Sequence, residues 1–218
     1  DSAPQPTGGQ GRFQATALNY EVMPGTNNQE CYGTFPSPTN AGDLLVAFTL
    51  LSANLTFENN FVMVEDGQAS VPAVGIYPSC AGGISTVRPV YCSAGGTKGV
   101  AVEISGMKPS LAASTLGTAT AMSAGQASVS LPVSGSYSVP KNSAVFLASF
   151  IEYNSTGIPP APAGFSTVMD FPTMPGYVGA VYYGVATAAG VPSATLVFTT
   201  PSGSSVPLGA VLVGFAPA

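Results

Sequence analysis

Apolar positions along this chain alternate with polar ones, or run together, over stretches of strand length, and nowhere do they recur at helical spacing. Arg12 to Asn19 alternates well enough to predict a first strand. Asp43 to Leu50 is nearly continuous in apolar residues, the pattern of a strand central in its sheet or buried on both faces. Phe61 to Val64 and Val71 to Tyr77 flank Glu65-Asp66-Gly67-Gln68, and an Asp-Gly between two apolar runs predicts a tight hairpin. Thr86 to Cys92 and Lys98 to Ser105 follow as strands. Met107 to Gly125 tolerates helix best, yet its Lys-Pro and frequent Ser, Thr and Gly predict a crossover loop, as does the Pro/Gly/Asn-rich segment 22–41. Six further strands are expected: Ala127 to Val133, Ser143 to Glu152, Gly164 to Asp170, Val178 to Val185, Ala194 to Thr199 and Leu208 to Phe215.

Two of these strands have earlier counterparts. Gly42-Asp-Leu-Leu-Val-Ala-Phe48 returns as Ser143-Ala-Val-Phe-Leu-Ala-Ser149, and Gly99-Val-Ala-Val-Glu-Ile-Ser105 returns as Leu208-Gly-Ala-Val-Leu-Val-Gly214. A repeat this long is no solenoid period. It predicts two related halves, roughly 12–106 and 126–218, preceded by an extended, Pro/Gly/Gln-rich arm at 1–11. In the first half, Val100, Val102 and Ile104 share one strand face, opposite Ala101, Glu103 and Ser105; Val211, Val213 and Phe215 form the matching set. Short strands separated by Gly/Pro/Ser clusters predict an all-β, antiparallel, two-sheet sandwich of jelly-roll type.

Ala41 to Phe48, Val102-Glu-Ile-Ser-Gly106, Ser143 to Phe150, Gly179 to Gly190 and Ala210 to Phe215 together resemble a jelly-roll-like domain frequent in bacterial secreted proteins and phage structural proteins. The typical line of that family runs from Ala-Gly-Asp-Leu-Leu-Val-Ala through an Ile/Val-Glu-Ile/Tyr-Ser-Gly strand to a final apolar strand. The resemblance implies an extracellular or virion location and a non-catalytic role. The tryptophans such domains often carry after the first long strand are absent, with Phe57, Phe61, Phe165 and Phe171 in those regions.

Only 7% of residues are charged while 45% are apolar, so the polar surface must consist of Ser, Thr, Asn and Gln. Charge is what normally keeps monomers apart, so this surface favours self-association. The five basic residues (Arg12, Arg88, Lys98, Lys108 and Lys141) are scattered. That leaves no footprint for nucleic-acid phosphates, and no apolar run is long enough to cross a bilayer. The start at Asp1 without Met suggests a processed precursor.

Chemistry is sparse. With no histidine in the chain, a Ser-His-Asp site is impossible and metal binding is poorly served; no cofactor is implied. Glu65-Asp66 is a turn rather than a calcium loop. Lys141 near Ser143 and Lys108 near Ser110 are coincidences of a Ser-rich chain. Glu103 and Glu152 are strand-borne carboxylates that a glycosidase would need facing each other across a cleft. The plainer expectation is an outward or interface carboxylate, with Arg88 or a neighbouring chain as the partner of Glu103.

Cys31, Cys80 and Cys92 predict one disulfide and one remaining thiol; the spacing of Cys80 and Cys92 could close a loop, and Cys31 could instead be the partner of either. Asn54 and Asn154 head glycosylation sequons. Phe171, Tyr177, Tyr182 and Tyr183 form an aromatic group, either core and rim or a contact patch for a partner or glycan. The expectation is a non-enzymatic, self-associating subunit of a virion coat or decoration layer, or of a surface filament. Its partners would be copies of itself, with surface glycans also considered. A monomeric carbohydrate-binding or adhesin module is the alternative.

Overall fold

A computed structural model describes residues 12–22, 29–50, 55–57, 61–65, 71–77, 80–92, 98–108, 114–152, 157–172 and 176–218. The N-terminal arm, the sequons at Asn54 and Asn154, and the Asp66-Gly67 turn lie outside these. Among the described residues the chain is all-β, with no helix.

The first half contributes β1 (Phe13–Val22), β2 (Gln29–Thr34), β3 (Leu44–Leu50), β4 (Leu55–Phe57), β5 (Val62–Glu65), β6 (Ala73–Tyr77), β7 (Thr86–Cys92) and β8 (Lys98–Ile104). The second contributes β9 (Ser114–Met122), β10 (Ser128–Ser134), β11 (Ala144–Ile151), β12 (Phe165–Asp170), β13 (Ala180–Val185), β14 (Ser193–Thr199) and β15 (Pro207–Phe215). Two strands fall where loops were expected. β2 lies inside the 22–41 segment, and its Gly33 packs where a Cβ would stand 2.5 Å from the Ala17 carbonyl oxygen. β9 lies inside the 107–125 segment, where Gly117 similarly brings the chain against the Ser134 carbonyl. Both strands carry few large apolar residues, so their hydrophobic signal is faint.

Every ladder is antiparallel. The first half forms an eight-stranded sheet in the order β4-β7-β2-β1-β8-β3-β6-β5. The second forms a five-stranded sheet, β12-β13-β11-β15-β9, and a separate β10-β14 pair. The neighbour order is the same in both halves, with β1–β3 matching β9–β11 and β5–β8 matching β12–β15. A bulge recurs at the same place, between Met63 and Glu65 on β5 and between Thr167 and Met169 on β12.

The turn entering the first long strand of each half also recurs. Gly42 has φ +84° and Asn142 φ +68°, a region open mainly to glycine and asparagine. Gly42 N donates to the Cys80 carbonyl at 2.9 Å, and Asn142 N to that of Ala186 at 2.8 Å. These matches fix the alignment of the halves. Leu44 corresponds to Ala144, and because Leu44 pairs with Ile104 where Ala144 pairs with Phe215, Ile104 corresponds to Phe215. The pairing read from sequence was off by one residue on the first strand and by two on the second. The counterpart of Glu103 is therefore Gly214 rather than Leu212.

Among the described residues three sheets enclose three cores. Each half has its own interior. In the first, the sheet folds over so that Leu18, Cys31 and Val87 meet Leu45, Ala47 and Ala101. In the second, Leu131, Leu196 and Phe198 meet Val145, Leu147, Tyr182 and Leu212. The third and largest core joins the halves: Val46, Phe48, Val100, Val102 and Ile104 pack with Phe146, Phe150, Tyr183, Val211, Val213 and Phe215. The two alternating faces read from β8 and β15 meet here. Their opposite faces are also covered, so β3 and β11 are buried at every position. Large and small residues trade places across this joint, with Val46 and Phe48 corresponding to Phe146 and Ala148. Interdigitation of that kind fills space without strain.

Candidate functional site

Glu103 is the most unusual polar residue in the fold. It points into the first half from the central strand β8 and is completely buried. Its Oε2 is 3.2 Å from Arg12 Nε and accepts from Gln14 Nε2, while Oε1 accepts from Asn40 N at 2.8 Å. Gln14 is its cross-strand neighbour on β1. Asn40 in turn donates to Asp43 at 3.2 Å and accepts from Arg12 Nη1 at 3.3 Å. Burial, the largest influence, pushes the Glu103 carboxyl above the usual carboxylate range; the Asn40 N–H opposes this, the Asp43 side chain adds to it, and Gln14 and Arg12 oppose it.

The partner of Glu103 is thus Arg12, and its carboxylate faces inward. Arg88 instead lies over the Tyr32 ring, 5.4 Å from its centroid. Glu152 is exposed beyond the end of β11 in the other half, so the two carboxylates do not form a pair. Ser143 is buried and donates to the Pro140 carbonyl at 2.7 Å; it holds the strand-entry turn beside an exposed Lys141.

Phe171, Tyr182 and Tyr183 of the aromatic group are buried, and Tyr177 is half-buried. Tyr183 and Phe171 belong to the central core, and Tyr177 packs on Phe150 with centroids 5.6 Å apart. Tyr182 points the opposite way, into the interior of the second half. Its hydroxyl donates to the Pro159 carbonyl at 2.6 Å and lies 3.3 Å from Ser149 Oγ. Burial raises both tyrosine hydroxyls to about 12.

Cys80 is a buried thiol 3.4 Å from Thr39 Oγ1, so the expected Cys80–Cys92 bridge is not formed. Cys31 is buried in the same core, and the side chain of Cys92 is outside the described residues. Cys80 is accordingly expected to resist a thiol-specific disulfide reagent in native protein and to react on unfolding in denaturant. Labelling followed by peptide mass mapping checks this; rapid native modification of Cys80 would contradict it.

The halves differ most between their third and fourth matching strands. In the first, β4 lies along β7, pairing Leu55, Thr56 and Phe57 with Cys92, Tyr91 and Val90. In the second, the chain passes through Gly157-Ile-Pro-Pro-Ala-Pro162 without forming a strand. Its three prolines have no N–H to offer a ladder. The Tyr182–Pro159 bond and the packing of Ile158 and Ala161 hold this segment over the core instead.

The outer side of β14 consequently has no strand partner among the described residues. The bonds Gly135 N to Pro192 O and Thr200 N to Ala127 O set the phase of the β10–β14 ladder. Alternation then turns the backbone N–H and C=O groups of Ser193, Thr195, Val197 and Thr199 away from β10. Pro132 fits this phase, since it sits opposite Thr195 where no N–H is required. Sequence reading marked β14 as a strand, but nothing in it announced an open edge.

Comparisons with protein-family models, with curated proteins and with solved structures find no match.

Proposed function

We propose that this chain is a non-enzymatic structural subunit that associates with copies of itself in an extracellular assembly, a virion coat or decoration layer or a surface filament. One observation carries the reading: among the described residues the outer edge of β14 has no strand partner, on a body in which only 7% of residues are charged. Soluble proteins usually guard such edges with lysine, proline, bulges or a covering segment. β14 (Ser-Ala-Thr-Leu-Val-Phe-Thr) has no charge, proline or bulge, and Val197 is 44% exposed on it. β5 and β12, by contrast, carry bulges and the acidic residues Glu65 and Asp170.

The strand order supports the same reading. We read the strand order of the first half as that of an eight-stranded jelly roll, which the second half repeats without a fourth strand among the described residues. We read the molecule as two jelly rolls joined face to face, an architecture that serves capsids as well as lectins. A monomeric sugar-binding module is the weaker reading, because Tyr182 and Tyr183 are buried.

Chromatography with light scattering on the full chain tests the proposal. Wild type is expected to form particles larger than one chain. Val197→Pro removes an outward-facing donor while sparing the β10 ladder, and should shift the population to monomer. A strictly monomeric wild type, or a Val197→Pro variant that assembles normally, would refute edge-driven assembly.

A further inference from the structure

A cavity of about 400 Å³ opens at the end of the second half's interior. Its lining includes Val145, Phe165 and Gly184, with a rim from the 186–193 loop, and none of its lining residues is charged. The first half shows what belongs in such a place. Val145 pairs with Gly184 as Leu45 pairs with Tyr77, and Phe165 corresponds to Phe61. In the first half, Tyr77 packs against Phe61 with centroids 5.5 Å apart.

In the second half the aromatic residue has moved two positions along the same strand face. Tyr182 stands where the first half has Gly75, and Gly184 where it has Tyr77. Two residues of strand amount to about 7 Å, enough to vacate the end of the core. The chain cannot refill the space from position 184, because a Cβ there would lie 2.7 Å from the Gly164 carbonyl oxygen. Val185 and Val191, two of the most exposed large apolar residues described, stand at this opening.

We propose that this cavity binds a single uncharged aromatic ring of phenol type, seated against Phe165. The volume is within the range of small-ligand sites, about 300–1,000 Å³. An uncharged lining offers nothing to offset the desolvation of an ionised group. Thr187, Ser193 and the loop backbone supply polar atoms for one hydroxyl.

The test titrates p-cresol into the full chain, following the methyl resonances of Val185 and Val191 by NMR. Saturable shifts at these residues are expected with Kd on the order of 1 mM, fitting a ligand this small. 4-Methylbenzoate, of similar shape but charged, should bind about tenfold more weakly or worse. Val191→Asp, a substitution at an exposed rim position, should weaken p-cresol at least about fivefold by placing a charge beside the ring. Phe165→Leu should weaken it as well, by removing the stacking wall.

N-acetyltyrosinamide identifies the source of the ring: binding as tight as p-cresol points to a protein side chain, and weaker binding to a free small molecule. Both rankings uphold the site. Failure to saturate, equal binding of 4-methylbenzoate, or unchanged binding by both variants would overturn it. Because the readout is ring binding rather than particle size, its failure is distinct from failure of edge-driven assembly.

Discussion

Phe146→Ala is expected to destabilise the protein by about 3–5 kcal/mol, the range for emptying an aromatic site in a packed core. Phe146 is fully buried where the halves meet. Its ring lies 5.9 Å from Phe48, 5.3 Å from Tyr183 and 6.3 Å from Phe215, centroid to centroid. Ala148, its neighbour on the same face of the strand, is too small to fill the gap. Urea unfolding of the variant and wild type, followed by circular dichroism and tyrosine fluorescence, measures the loss. In wild type the two probes should report one transition, because the central core couples both halves. A loss below about 1 kcal/mol would mean that the halves do not depend on this joint for stability.

The second large effect concerns pH and Glu103. The folded carboxyl group titrates above its ordinary value, chiefly through burial. The folded state therefore holds this proton more tightly than the unfolded chain does. The resulting stabilisation is complete below the unfolded carboxylate range, about pH 4, and is lost as pH rises through the raised folded value. Above that point Glu103 is ionised in a buried setting, with Arg12 paired to it at 3.2 Å.

Glu103→Gln removes the titration while retaining an amide of the same shape. Unfolding free energy should thus decline more steeply in wild type than in Glu103→Gln as pH rises above about 4. Arg12→Leu takes away the opposing charge and should cost about 3–5 kcal/mol at neutral pH, less when Glu103 is protonated. Parallel pH profiles for wild type and Glu103→Gln would contradict the assignment.

Much of the architecture was legible because burial leaves a direct trace in sequence. Leu44 to Leu50 is apolar at every position but Thr49 because one face meets the first half's interior and the other meets the second half. The alternation in Val100-Ala-Val-Glu-Ile104 sorted the faces correctly, since successive strand side chains must point to opposite sides. β2 and β9 escaped notice because they close the sheets with small and polar residues, where backbone pairing rather than side-chain burial makes the strand. Cys80 and Cys92 looked like a pair because sequence separation carries no information about direction; in the fold Cys80 turns toward Thr39.

The candidate sites were less legible. Glu103 drew attention as a charge on a strand, but its partners come from β1 and the 37–43 segment, far apart in sequence. The lack of a strand partner for β14 among the described residues goes with the prolines at 159, 160 and 162, in a segment far from β14 in sequence that forms no strand. The ring-sized cavity exists only by comparison of two halves whose alignment the hydrogen bonds had to settle. The sequence by itself determined the all-β class, the twofold repeat and the faces of its central strands, because those follow from the local periodicity of apolar side chains. Only the tertiary structure decided which strand edge has no partner among the described residues, which groups surround the buried Glu103 and where the core is unfilled. Each of these depends on residues that become neighbours only when distant strands pair.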